Sequence, residues 1–109
     1  MNCIFICIFN QDKYVDMFYL ILESILIYSK IDENTDILVY TSTPFMNMIK
    51  QNQLFNMNKI RFEINDTYNN IDTACKARLD LFTLKSIINY KKILYLDRIY
   101  LYIFLYFIV

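Results

Sequence analysis

Residues 3 to 9 read CIFICIF, seven apolar side chains in succession. A strand sends alternate side chains to opposite faces, so this run has no face to offer to water. Such a strand belongs in the middle of a sheet covered on both sides, which is the setting of parallel α/β folds. It excludes a one-sided antiparallel meander. It also states what the remaining residues must supply: covering helices and further strands.

They supply both in alternation. After NQDK breaks the first strand, Val15, Phe18, Tyr19, Leu22, Ile25 and Leu26 repeat at the spacing of one helical face, predicting a helix to about Ser29 with Asp12 available as its cap. KIDENTD is a polar turn, and Ile37 to Tyr40 is a second short strand. Thr43 before Pro44 marks a helix start, with Thr43 as cap, and that helix is expected to reach about Leu54. KIRFEIN alternates Ile60, Phe62 and Ile64 with charged residues, as a sheet-edge strand does. Beyond the Asn-rich NDTYNN, Ala74, Ala77, Leu81, Leu84 and Ile88 predict a third helix over roughly Thr73 to Asn89, with Asp72–Lys76 and Lys76–Asp80 pairs on its wet side. KKILYLD is a fourth buried strand. Alternating strands and helices with right-handed crossovers predict an open, mostly parallel Rossmann-like sheet in the order 3-2-1-4.

A chain of 109 residues suits one domain, and 57% hydrophobic content rules out a disordered polymer. Lys plus Arg and Asp plus Glu stand at 11 each, so bulk charge favours no nucleic acid as partner. Cys3, Cys7 and Cys75 form no C-x-x-C pair and have no histidine to complete a zinc site, which points to reduced core thiols. Nothing at the start resembles a signal peptide, so a cytoplasmic location is expected. The sequence has no glycine; Asn10, Asn34, Asn56, Asn69 and Asn70 stand where turns are wanted, and Asn tolerates positive φ best after glycine.

Doubly wound sheets bind ligands beyond the carboxyl ends of the strands where strand order reverses, here between strands 1 and 4. The residues expected there are NQDKY after strand 1 and Asp97 after strand 4. The lack of a glycine-rich loop speaks against a dinucleotide or P-loop site. FICIFNQDKYVDMFYLILESI and KARLDLFTLKSIINYKKILYLD resemble the opening strand and helix, and the helix and strand leading to Asp-x-Asp, of glycosyltransferase family 8, the glycogenin and lipopolysaccharide galactosyltransferase group. The resemblance covers residues 3 to 97. It implies the type-A glycosyltransferase fold, a UDP-sugar donor and Mn²⁺. It further implies that Tyr14 stacks on uracil, Asp12 hydrogen-bonds the base or ribose, Arg78 faces the donor's phosphates or sugar, and Asp97 is the first metal carboxylate.

The pattern then departs from the family. Ile99 stands at the third position of Asp-x-Asp, Arg98 beside it is a cation, and the family's later metal-binding histidine has no counterpart. A hard divalent cation needs several oxygen ligands, so Mn²⁺ is not expected to be held tightly. Residues 1–97 are thus read as a partial nucleotide-sugar-binding domain and 98–109 as an apolar tail outside the family pattern, the whole a truncated or degenerate glycosyltransferase inactive by itself. Simpler roles stand beside these: Tyr14 as a packing aromatic, Asp12 as a cap, Arg78 as a solvated helix residue, Asp97 as a turn residue. Two other functions compete, a small protein associated with membrane through residues 99–109 and a flavodoxin-like binding module. A sheet left open at strand 4 would expose an edge, so self-association is expected.

Overall fold

The computed structural model describes residues 1–28, 34–52, 60–68, 70, 76–96 and 105–108. Five strands form one sheet: β1 (Asn2–Ile8), β2 (Thr35–Thr41), β3 (Ile60–Ile64), β4 (Lys92–Leu96) and β5 (Leu105–Ile108). The order is β3-β2-β1-β4-β5. The first four are mutually parallel in the predicted order 3-2-1-4, with Ile4 of β1 level with Ile37 of β2 and Leu94 of β4. The fold is α/β and of Rossmann type.

β1 is central for the reason its composition demands. Its odd-numbered residues Cys3, Phe5 and Cys7, with Phe9 just beyond, enter one core with Leu38, Tyr40, Ala77, Leu81, Ile87, Ile93 and Tyr95. Its even-numbered residues Ile4, Ile6 and Ile8 enter a second core with Val15, Phe18, Leu22, Ile25, Phe45 and Ile49. That second core lies under the helices α1 (Lys13–Tyr28) and α2 (Thr43–Lys50), which therefore share one face of the sheet. Right-handed crossovers that step from β1 to β2 to β3 keep their helices on one side, and the return to β4 must cross on the other. Burial pushes the Cys3 thiol up to about 12, and Cys3 and Cys7 are both buried and unbridged, as core thiols. Cys75 lies outside the described residues.

Three elements differ from expectation. The third crossover is not one α-helix: from Lys76 onward it is two 3₁₀ turns, Ala77–Phe82 and Lys85–Ile87, separated by Leu84 in extended conformation (φ −67°, ψ 129°). The 3₁₀ spiral turns 120° per residue, so the i,i+4 face drifts: Ala77, Leu81 and Leu84 still pack inward, but Ile87 is buried and Ile88 is 80% exposed. Asp80 likewise faces inward and not toward Lys76. Secondly, α2 stops at Lys50, with Gln51 as its C-cap, short of Leu54, which lies outside the described residues. Thirdly, β4 is not an edge. β5 pairs with it antiparallel, Ile93 opposite Ile108 and Leu96 opposite Leu105, so the apolar tail contributes a strand and the sheet's edges are β3 and β5. Among the described residues no helix is long and apolar enough to cross a membrane.

Candidate functional site at the carboxyl edge of the sheet

The chain leaves β1 through Phe9 and then turns sharply. Asn10 takes φ 80°, the one positive φ among the described residues, where other proteins would place a glycine. Of the other expected turn asparagines, Asn56 and Asn69 lie outside the described residues. The N–H of Gln11 donates to Phe9 O (3.0 Å), and Asp12 O then accepts from Val15 (3.0 Å) as α1 begins.

Beside this turn lies a cleft of about 440 Å³ lined by Asn10, Ser42, Thr43, Pro44, Phe45, Asp66 and Tyr68. It is built from the carboxyl ends of β1, β2 and β3. β1 and β2 are tied together at its floor, where buried Thr41 donates its hydroxyl to Ile8 O (2.6 Å). Thr43 is the first residue of α2 and does not cap it; Ser42 is the cap position and makes no side-chain capping bond. The cap comes instead from the turn after β3. Asp66 accepts the Thr43 N–H on Oδ1 (2.7 Å) and the Thr43 hydroxyl on Oδ2 (2.8 Å), and these bonds hold its carboxyl below the ordinary 3.8. A carboxylate at a helix N-terminus is also favoured by the peptide dipoles. Its presence means that an incoming phosphate would meet a resident anion at the start of α2.

On the other face, next to the cleft, two tyrosine hydroxyls converge on Asp80 and an asparagine amide backs one of them. Tyr40 and Tyr68 both donate to Asp80 Oδ2, at 2.7 and 2.5 Å, and Asn65 Nδ2 donates to Tyr40 Oη (2.8 Å). Asn65 Oδ1 meanwhile accepts from the N–H and hydroxyl of Thr67, closing an Asx turn that aims Tyr68 back at the sheet. Phe9 stands edge-on to Tyr40 and Tyr68, with centroids 5.0 and 5.3 Å away. Burial, followed by the bond to Asp80, pushes the Tyr40 hydroxyl well above 10; for Tyr68 the bond to Asp80 is the larger cause. Both tyrosines are thus held neutral as donors.

The residues singled out from the sequence are distributed around this edge and are not clustered. Asp12 is exposed in the loop after β1. Tyr14 is half-buried and packs against the core under α1 and α2, as a packing aromatic does, with Lys13 Nζ 5.5 Å from its ring centroid. Arg78 is exposed in the first 3₁₀ turn, across the sheet from Tyr14. Asp97 lies outside the described residues. None of the first three lines the cleft, which sits toward β2 and β3, away from the β1–β4 reversal where sequence reasoning looked.

Among the described residues no three His, Cys, Asp or Glu side chains come together, and the carboxylates Asp66 and Asp80 are engaged, Asp66 by Thr43 and Asp80 by two tyrosines. Reasoning from the sequence passed over Asp66, Tyr68 and Asp80. The N-D-T run after β3 carried a turn signal, but which helix Asp66 would cap depends on a contact 23 residues back along the chain. Fold and site together define an open, doubly wound α/β domain with a polar cleft at its carboxyl edge. No family model, curated protein or solved structure matches the chain.

Proposed function

We propose that the chain is a degenerate glycosyltransferase-type domain that binds a uridine nucleotide or UDP-sugar and performs no transfer by itself. The observation that carries the reading is the reversal of strand order between β1 and β4, with the turn at Asn10 and the segment to Tyr14 lying at the carboxyl end of β1. Ligands of open α/β sheets lie at such a reversal. In this reading Tyr14 offers its ring to uracil, Asp12 accepts from base or ribose, and Arg78 pairs with the diphosphate from the opposite face, so the ligand straddles the edge. The Asp66 carboxylate at the start of α2 would repel phosphates there and favour the β1–β4 side.

Asp97 is the single carboxylate left of the metal motif, since Ile99 cannot ligate. One carboxylate does not hold Mn²⁺, so binding is expected to be independent of it. The test is isothermal titration with UDP and UDP-hexoses, with and without Mn²⁺, alongside a hydrolysis assay. The expected result is binding without turnover, unchanged by the metal. Tyr14→Ala should weaken it about 5- to 150-fold, the range that corresponds to one stacked base, while Tyr14→Phe retains it. A folded sample that gives no heat with any uridine nucleotide removes the proposal.

A further inference from the structure

Among the described residues β3 is the terminal strand of the sheet, hydrogen-bonded to β2 along one side. Its five residues, Ile60-Arg61-Phe62-Glu63-Ile64, read as their own complement about Phe62. Run antiparallel to a second copy centred there, Ile60 meets Ile64, Arg61 meets Glu63 and Phe62 meets itself. We infer that β3 is a two-fold dimerisation edge, its partner a second copy of this chain, joining two sheets through β3–β3 pairing.

The faces are already sorted for such a pairing. Arg61 and Glu63 are level with Leu38 and Tyr40 of β2 and share their side of the sheet, while Ile60 and Phe62 pack against the core under α2. Apolar residues would therefore meet apolar ones on the helix side, and charges would meet charges on the other. Arg61 is two-thirds exposed, with its Nε 3.4 Å from Asp36 Oδ2. The Glu63 carboxylate has no ionic or hydrogen-bond partner among the described residues. The amide of Asn65 donates to Thr41 O, and by alternation the amides of Glu63 and Arg61 also point toward β2. A 61–63 pair across the two-fold is then a non-hydrogen-bonded pair, the kind whose side chains approach most closely.

Charges on an edge strand usually repel further strands. Here they discriminate. Parallel, in-register stacking sets Arg61 on Arg61 and Glu63 on Glu63, whereas the antiparallel two-fold sets opposite charges together, which closes at two copies and opposes open-ended growth. The inference does not depend on nucleotide binding.

Sedimentation equilibrium of the full chain tests it. A mass approaching twice the 13.3 kDa of one chain is expected. Glu63→Arg, which turns both opposite-charge pairs into like-charge pairs, should weaken the dimer about tenfold or more with unchanged circular dichroism. A second variant, Arg61→Lys, keeps the charge and permits carbodiimide coupling; a covalent dimer should form whose cross-linked peptide joins Lys at position 61 to Glu63 of the other copy. A wild-type chain that stays monomeric overturns the inference. So does a dimer indifferent to Glu63→Arg, which would place association elsewhere, such as the uncharged β5 edge, or a Lys variant that yields no inter-chain link.

Discussion

Asp66 donates no proton and accepts two at the first turn of α2, so its ionisation is coupled to the start of that helix. Its folded pKa lies below the ordinary 3.8, lowered first by the Thr43 N–H and then by the Thr43 hydroxyl. A depressed carboxylate contributes stability that is complete above 3.8 and is lost as pH falls from there through the lower folded value. Thermal unfolding across that window should show an acid limb that Asp66→Asn flattens; identical limbs in both proteins would contradict the assignment. At the other end of the scale, Tyr40 and Tyr90 are both held above 10, by burial first and then by Asp80 and Asp36 respectively. Their neutral forms favour the fold, a contribution present below pH 10 and lost as pH rises through the higher folded values. Titration at 295 nm should therefore show these two of the ten tyrosines ionising only as the protein unfolds. Ten phenols titrating together near 10 in the folded state would refute this.

Among the elements, α1 was readable almost completely. Val15, Phe18, Leu22 and Ile25 were expected on its inner face and are all buried, because a 16-residue amphipathic helix has its periodicity written locally. Phe18→Ala should cost about 3–5 kcal/mol in denaturant unfolding, against about 0.5 kcal/mol or less for Leu20→Ala on the exposed side. Equal costs would mean the helix is rotated. The third crossover was not readable in the same way. Its apolar spacing suits an α-helix, yet Asp80 is drawn inward by Tyr40 and Tyr68 from two other parts of the chain, and the segment winds as 3₁₀ turns around that anchor. β3 could be recognised as an edge from its charge alternation, while the partner of its outer side could not.

For the molecule as a whole, the apolar run of β1 implied a central strand, and the strand–helix alternation with right-handed crossovers implied an open parallel sheet, whose expected order 3-2-1-4 is the one found. Two cores, one per face, follow from that order, as does the position of the nucleotide-binding segment proposed after β1. The tail was not anticipated as a strand. It pairs antiparallel to β4 and moves the sheet's edge to β5, so an apolar segment that looked unattached contributes main-chain hydrogen bonds to the fold. If the β3 pairing holds, two such sheets join through their charged edges and leave the uncharged β5 edges outermost.

What the sequence determined by itself is what short-range chemistry dictates: the first four strands, which face of α1 is apolar, that the first strand is buried on both sides, and that asparagines must stand where turns want glycine, as Asn10 does. Tertiary structure alone decided that Asp66 caps a helix 23 residues earlier, that Asp80 binds two tyrosines, and that the cleft opens toward β2 and β3. Those contacts join groups from separate crossovers. Local periodicity carries no record of them, because their geometry exists only once the sheet has set the carboxyl ends of its strands side by side.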